Sequence, residues 1–244
     1  MAFKDEDFVE IEYSAWDTSA NRLIATTDEK KAKESEIYNK DYKYGKVLVV
    51  LGSNSVIKGL DKEIRSMSIG EQKKFTVKPE DAFGQRNEEL VKVMPLSDFR
   101  ARDMNPYPGM TVELDNMTAV VRSVNSGRVV VDANNPYAGR DITYEVKVIK
   151  QLTDQNEKIS ALGRTYNVEP SKVNINDKKL VIKYDSNVSK NADYFVGKVS
   201  AIASIFTYFK DVSDIVVEEE YKRVDLEKPG HAHEHKHEAK KEEK

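Results

Sequence analysis

The sequence predicts an α+β protein built from several small domains, and three observations carry that prediction. Short apolar segments that alternate with polar residues, the pattern of half-buried strands, recur along the chain. One short amphipathic helix lies among the first of these segments, and a longer apolar helix lies near the end. The 244 residues are enough for two or three domains, and the apolar segments fall into separate blocks.

The first block predicts an antiparallel sheet around one helix. Residues 8–16, FVEIEYSAW, alternate in the manner of a strand, and further strand candidates follow at 22–27, 47–51, 71–78 and 142–149. After the stretch LGSNSVIKGLDKEI, an apolar face recurs at Leu60, Ile64 and Met67, which predicts a helix of about two turns. The charged segment 28–40 is expected to form a solvated loop.

A second block lies between Gly84 and Gly139 and carries its own strand and turn signals. Surface loops tolerate long insertions at little thermodynamic cost. We therefore expect a small β-rich domain over 86–139, inserted into a loop of a first domain that spans 1–85 and 140–150.

The third block, 151–225, predicts a C-terminal α+β domain. Two strand candidates flank a turn at Asn176 and Asp177, and an apolar helix and a last strand candidate, DIVVEEEY, follow. The helix carries large apolar residues at heptad-like spacing: Phe195, Val199, Ile202, Phe206 and Phe209. Our interpretation is a core face packed on the domain's own sheet, and the alternative is a face shared with a second subunit, which would make a homodimer.

The last residues, 226–244, form a polar tail that is predicted to be disordered. Histidines alternate with other residues at His231, His233, His235 and His237. Imidazoles suit nickel and zinc, so these four residues are candidate metal ligands, with a merely solvated tail as the alternative.

Composition excludes several classes of function. The 39 Lys and Arg are interleaved with 42 Asp and Glu, so nucleic acid is not an expected partner. The absence of cysteine excludes disulfides and thiol catalysis, and the absence of a signal peptide or apolar span predicts a cytoplasmic protein with no membrane partner. All four histidines lie in the tail, so the folded region has no imidazole base for a catalytic triad.

Several motifs occur together in an order that resembles the FKBP-type peptidyl-prolyl isomerases: VLVVLG, GLDKEIRSMSIGE, PEDAFG and TYEVKV. The insertion, which ends in VVVDANNPYAGRDITYEVKV, resembles the insert-in-flap (IF) domain of the SlyD-like branch, and the third domain is similar to that of archaeal long-type members. The resemblance implies a half-barrel sheet around the short helix. It also implies isomerisation of X–Pro bonds in unfolded or partly folded polypeptides, chaperone activity in the insert, and no required cofactor.

The spacing of the apolar residues alone predicts that each pocket candidate is a core residue. The assignment of these residues to a binding site is what the family resemblance implies. It places catalytic residues at Tyr13, Ile57, Phe83 and Tyr144, with the Ile57 N–H binding a substrate carbonyl. It places substrate-binding residues in the pocket at Ile24, Ala25, Val47, Val49, Val56 and Leu60, where Leu60 forms the floor in place of a tryptophan. In the insert it places a client groove at Met94, Phe99, Val112, Leu114 and Tyr137.

The chain departs from the family pattern at the pocket. It reads LIATT where most members have Phe-Asp, so Ala25 replaces a carboxylate, and Phe83 stands where a tyrosine is usual. Near the end of the insert, Asn134-Asn135-Pro136 replaces Asn-His-Pro. The missing polar contacts predict an isomerase about ten- to a hundredfold weaker. They favour a first alternative function, a holdase chaperone with weak isomerase activity. The histidine tail favours a second alternative, a metal-handling protein.

Overall fold

The computed structural model describes residues 3–114, 117–185 and 192–221. The chain divides into two compact units, Met1–Gln151 and Leu152–Lys244. The strands in chain order are β1 (Phe8–Asp17), β2 (Arg22–Thr26), β3 (Val47–Val50), β4 (Gln72–Val77), β5 (Val91–Pro95), β6 (Thr111–Leu114), β7 (Met117–Asn125), β8 (Arg128–Asp132), β9 (Ile142–Leu152), β10 (Lys172–Asn176), β11 (Lys179–Tyr184) and β12 (Asp214–Glu219). The helices are α1 (Glu29–Glu34), α2 (Lys58–Ser66), α3 (Leu96–Arg100), α4 (Gln155–Thr165) and α5 (Ala192–Tyr208).

The first unit is built on a five-stranded sheet in the order β2-β1-β9-β4, with β3 paired to the first half of β1. β1 pairs antiparallel with β2 and with β3, and β4 pairs antiparallel with β9. The inward faces of β1 and β9 are fully buried at Val9, Ile11, Val146 and Val148. The predicted antiparallel sheet and its alternation are therefore confirmed.

Helix α2 packs on this sheet through the predicted face, since Leu60, Ile64 and Met67 are all buried. The helix approaches β4 closely at Gly59, where any Cβ would overlap the side chain of Val77. The start of the helix, from which the pocket is built, is thus held directly against the sheet.

The charged segment 28–40 differs from our prediction, because it contains helix α1. The Asp28 carboxylate caps this helix by accepting from the N–H groups of Lys30 and Lys31 at 2.9 and 3.1 Å. Only Ala32 is buried. A single small buried residue leaves no apolar periodicity, so the pattern gave no sign of a helix.

The insertion forms a separate four-stranded sheet in the order β5-β8-β7-β6, with the short helix α3 after β5. Its small core is filled by Phe99, Val112, Ala119, Val121, Val129 and Val131. The two ends of the insertion meet, because the Gly139 N–H donates to the Gly84 carbonyl at 2.8 Å.

In the second unit, β10 and β11 form the predicted hairpin and β12 adds to β11 in parallel. Helix α5 buries Tyr194, Gly197, Ala201 and Ile205. Our interpretation of the apolar stripe as a core face was wrong, because its large residues Phe195, Val199 and Phe206 are exposed. The buried face includes glycine and alanine, which allow close packing but contribute little to an apolar pattern.

Across the described residues, no helix has the length and apolar character needed to span a membrane.

Candidate functional site

Half-buried apolar side chains from several elements cluster over the core of the first unit around the start of α2. They are Tyr13, Ile24, Ala25, Val47, Val56, Ile57, Phe75, Ala82, Phe83 and Tyr137. All the predicted pocket residues that remain partly exposed therefore pack against the same core, and their assembly into one pocket stays a prediction. Their shared character is hydrocarbon and aromatic surface, which suits an apolar ring rather than a charged ligand.

Aromatic rings supply the walls of this pocket. The rings of Tyr13 and Tyr144 lie 6.1 Å apart, and Phe75 stacks on the other side of Tyr144, also at 6.1 Å. A second pair, Phe83 and Tyr137, lies 5.4 Å apart at a tilt. Such contacts fix the rings and leave a rigid surface.

The loop between β3 and α2 holds the corner of the pocket in place. The Gly52 N–H donates to the Asp61 carboxylate at 2.7 Å, and the hydroxyl groups of Ser53 and Ser55 donate to the Val50 carbonyl at 2.7 and 3.1 Å. Asp61 is itself held by Arg65 at 2.6 Å. The polar residues of the loop therefore bind one another and leave Val56 and Ile57 facing the pocket.

Ile57 is the N-cap residue of α2, with φ −61° and ψ 150°. Its side chain makes no capping hydrogen bond, and no acceptor for its backbone N–H is found among the residues that the structure describes. The first N–H groups of a helix lack partners within the helix. The corner thus presents an apolar side chain and a backbone donor side by side.

The two pocket tyrosines remain protonated across the neutral range. Burial raises the pKa of Tyr13 to about 12, with smaller contributions from Tyr42. Burial, together with the neighbouring Tyr13, also raises the pKa of Tyr144 well above its ordinary value. Neither hydroxyl can therefore act as a general base near pH 7.

Two predicted site residues, Val49 and Tyr137, lie elsewhere than expected. Val49 is 0% exposed and belongs to the core, opposite the equally buried Val9 in the pairing of β3 with β1. Leu60 is buried directly under the corner and reaches the surface only slightly. Tyr137, which we expected in the groove of the insert, packs with Phe83 against the core of the first domain.

The predicted groove of the insert also needs correction. Phe99 and Val112 are 1% and 3% exposed and fill the insert's core, so they cannot contact a client in this conformation. Met94 is half-buried at the edge of that core, and the side chain of Leu114 lies outside the described residues. The large apolar side chains of the insert that are exposed are Val93, Tyr107 and Met117.

A hydrogen-bonded neck, formed by Arg86, Asn87, Arg122, Asp132 and Asn134, ties the two ends of the insert together at its base. Asn134 accepts from the Asn87 N–H and donates to the Asn87 carbonyl, both at 2.8 Å. The buried Asp132 carboxylate accepts from Arg86 at 2.7 Å and from Arg122 at 2.9 Å. Burial alone would raise the pKa of Asp132, but the bonds from Asn134 and the two arginines lower it below the ordinary value.

The predicted metal ligands His231, His233, His235 and His237 lie outside the described residues. Over residues 3–114, 117–185 and 192–221, no group of three or more His, Cys, Asp or Glu side chains is arranged to hold a metal ion.

Sequence reasoning missed two residues of the pocket, Phe75 and Ala82. Phe75 and Val77 are two residues apart on β4 and therefore share one face of the strand, and Phe75 lies opposite Tyr144 on β9. The period of two was therefore enough to predict on which face of the sheet Phe75 lies. Ala82 follows the 3-10 turn Pro79–Asp81, and nothing in the local sequence shows where that turn directs it.

Comparison with known proteins agrees with this geometry. A family model described as FKBP-type peptidyl-prolyl cis-trans isomerase matches residues 2–99, and one described as FKBP26, IF domain matches residues 92–137. The chain is thus similar to FKBP-type peptidyl-prolyl isomerases over residues 2–99 and to an insert-in-flap domain over residues 92–137, which confirms the resemblance seen in the sequence.

Among its relatives is the short-type peptidyl-prolyl cis-trans isomerase of Methanocaldococcus jannaschii, 29% identical over 145 residues, which are 59% of this chain and 91% of the relative. The SlyD isomerase of Vibrio cholerae is 33% identical over 102 residues, 40% of this chain and 50% of that protein. The SlyD isomerase of Helicobacter pylori is 27% identical over 116 residues, 46% of this chain and 62% of that protein. The matches thus cover about half to two thirds of the SlyD proteins.

Proposed function

We propose that this protein accelerates the rotation of X–Pro bonds in unfolded or partly folded polypeptides, and that its insert holds those polypeptides next to the pocket. The observation that supports this best is the corner at the start of α2. There an apolar, aromatic-walled surface adjoins a backbone donor, the Ile57 N–H, for which the described residues supply no acceptor.

The chemistry requires no nucleophile. Rotation about an X–Pro bond has a barrier of about 20 kcal/mol and takes tens of seconds unaided. Resonance keeps the amide planar, and water supports that resonance by solvating the carbonyl. A pocket that removes this water and binds the twisted amide more tightly than the planar one lowers the barrier, by tenfold in rate for each ~1.4 kcal/mol.

We assign the roles as follows. The proline ring lies over Leu60, between the walls made by Tyr13 and Tyr144 on one side and Phe83 and Tyr137 on the other. The Ile57 N–H binds the carbonyl of a substrate residue. Ile24, Ala25, Val47 and Val56 complete the apolar rim.

The insert supplies the surface that holds the client. We propose that 86–139 is a module of its own and that 151–225 is another. Within the insert, Val93 and Tyr107 are each 62% exposed and Met117 is 39% exposed. Large apolar side chains in solvent, with flexible methionine among them, suit weak binding to many unfolded segments.

Refolding of a protein whose slow phase is limited by proline isomerisation tests this function. We expect the full chain to accelerate that phase at substoichiometric concentration and a Tyr144→Ala variant to lose most of the effect. A slow phase that the full chain leaves unchanged would overturn the proposal.

A holdase with weak isomerase activity is the second candidate, and the exposed residues of the insert together with Ala25 and Phe83 at the pocket favour it. It predicts that aggregation of an unfolded client is suppressed equally with and without prolines in that client. The full chain would then suppress aggregation while leaving the proline-limited phase unchanged.

We further propose that a second copy of the chain covers the exposed stripe of α5, formed by Phe195, Val196, Val199 and Phe206. The tail that follows β12 is too polar to cover this stripe itself. Sedimentation equilibrium is expected to show a dimer that Val199→Lys converts to a monomer. Asn176→Lys, in an exposed hairpin, is the matched control. A monomeric full chain would refute this pairing.

For the histidine tail we propose nickel or zinc binding by His231, His233, His235 and His237. Truncation after Gly230 is expected to abolish the heat of nickel binding in calorimetry and to leave peptide isomerisation unchanged. Binding that survives truncation would place the ligands elsewhere.

A further inference from the structure

A cavity of about 230 Å³ lies between the loop that follows β3 and the first turns of α2, and we call it the lysine cavity. Gly52 and Asn54 line it from the loop, Val56 from just before the helix, and Lys58 and Lys62 from the helix itself. The cavity is smaller than the sites that bind drug-sized ligands. A volume of this size suits a single amino-acid side chain.

Hydrogen bonds hold the loop side of the lysine cavity in place. One carboxylate oxygen of Asp61 accepts from the Gly52 N–H at 2.7 Å, and the other accepts from the Arg65 guanidinium at 2.6 Å. Arg65 also pairs with Asp5 at 2.5 Å, and Gly52 lies so close to the Asp5 carboxylate that any Cβ would overlap it. The two carboxylates of this region are therefore engaged by Arg65 and the loop.

The helix side of the lysine cavity carries two positive charges. Lys58 and Lys62 are four residues apart on α2, so they lie on the same face of the helix, and both are exposed. In the described part of the chain, neither ammonium group has an ion pair or a hydrogen bond. Lys73, by contrast, pairs with Glu63 of the same helix at 2.7 Å. Like charges at this spacing destabilise a helix, and an anion bound between them would relieve their repulsion.

The lysine cavity adjoins the proposed proline pocket. Val56 lines the cavity, and it also packs against the core of the first unit together with Ile57, whose N–H is the proposed donor to a substrate carbonyl. An extended chain advances by about 3.3–3.6 Å per residue. A client held by the Ile57 N–H can therefore place a side chain from one or two residues away in the cavity, within reach of the flexible lysine side chains.

We propose that the lysine cavity is a client subsite that binds the carboxylate of an Asp or Glu residue within two residues of the isomerised proline. The inference rests on the proposed function of the pocket. Lys58 and Lys62 attract the carboxylate, while Val56 contacts the hydrocarbon part of the same side chain. The subsite therefore selects acidic over neutral and basic flanking residues, a preference that an apolar pocket alone has no means to produce.

Short capped peptides test the subsite with the full chain. Each contains a single proline and one Glu or Gln, placed one or two residues before or after that proline, and exchange NMR measures its isomerisation. At one or more of these positions, we expect kcat/KM at low salt to be about three- to tenfold higher for the Glu peptide than for the Gln peptide, as for one or two exposed ion pairs. Lys58→Gln combined with Lys62→Gln should bring this ratio to about one.

Matched variants separate a local site from the overall charge of the protein. Lys74→Gln combined with Lys147→Gln removes the same charge from exposed positions on β4 and β9 and should leave the ratio as it is. Lys58→Glu combined with Lys62→Glu should reverse the preference, so that a peptide with Lys in place of Glu becomes the better substrate. A Glu preference that is absent at every position, that survives the Gln pair at 58 and 62, or that falls equally in the control would overturn the inference.

The outcome for the pocket itself is separate. If the Gln peptides are isomerised and the Glu peptides are isomerised no faster, the subsite alone is misassigned and the proposed function stands. If neither set of peptides is isomerised, the proposed function fails, and the subsite is overturned with it.

Discussion

The pocket and the insert of this protein expose apolar surface in opposite ways. In the pocket candidate, aromatic rings contact one another and a buried core, which fixes their positions. In the insert, the larger side chains fill a small core while Val93, Tyr107 and Met117 stand in solvent without a shared wall. If the proposed function holds, the first surface would select a proline ring by shape, whereas the second would hold chain segments through the apolar area that it exposes.

Removing the insert is expected to have the largest effect on this comparison. Deleting 88–133 and joining Asn87 to Asn134 through two glycines keeps the neck pair and Tyr137 in place. Activity on a proline-limited protein should fall about a hundredfold, since tethering near a reactive site raises the effective concentration by about that factor or more. Activity on a short peptide should be retained, and both are measured by stopped-flow fluorescence.

The wider deletion of 86–139 is the matched control, because it also removes Tyr137 from the pocket wall. It is expected to lower peptide activity as well. Equal peptide activity in the two deletions would show that Tyr137 takes no part in the pocket, and undiminished protein activity would show that the insert does not hold the client.

Removing the backbone donor of the pocket comes next. Ile57→Pro abolishes the N–H, and the φ of −61° at this position is one that proline adopts. We expect kcat/KM on the peptide to fall about tenfold or more, as for a lost hydrogen bond to a substrate carbonyl. Ile57→Ala, which keeps the N–H and shortens the side chain, separates the two contributions, and an equal loss in both variants would assign the effect to the side chain alone.

Loosening the neck should affect the insert and spare the pocket. Asp132→Asn removes the charge that pairs with Arg86 and Arg122, and we expect the insert to lose about 1–3 kcal/mol of local stability. Hydrogen exchange should therefore quicken within 86–139 while peptide activity remains. Asp98→Asn, on an exposed turn of α3, is the control.

The charge of Asp132 makes the stability of the insert depend on pH in a predictable direction. The pKa of Asp132 is lowered in the folded protein, so its stabilisation is complete above the ordinary carboxyl pKa of about 4 and is lost as the pH falls below it. The native insert should open more readily below about pH 4, whereas the Asp132→Asn insert should not respond there. An identical acid response in both would assign the effect to other carboxylates.

The smallest expected effect is that of pH on the pocket. Tyr13 has a pKa of about 12, and that of Tyr144 is raised too, so no group of the pocket titrates in the neutral range. Peptide kcat/KM should vary by about twofold or less between about pH 6 and 9. A bell-shaped profile would require an acid–base pair that this pocket does not contain.

The sequence predicted the position of a residue where that position follows from the periodicity of a strand or a helix. The inward faces of β1 and β9 and the apolar face of α2 were predicted because periods of 2 and 3.6 leave a direct mark. The apolar stripe of α5 misled us, since close packing at Gly197 and Ala201 is achieved by small side chains. The ring contacts among Tyr38, Tyr42 and Tyr44 had no local signal at all, because they depend on the path of an irregular loop.

Gly84 and Gly139 are far apart in sequence but joined by one hydrogen bond of 2.8 Å, and both have positive φ, at 78° and 76°. To the host domain, everything between them is equivalent to a tight hairpin turn. Chain-closure entropy grows only slowly with length, so the host's own folding is nearly indifferent to how many residues that turn contains. The same joint would accept a shorter link, a longer insert or a foreign module, provided that Tyr137 is kept in its contact with Phe83.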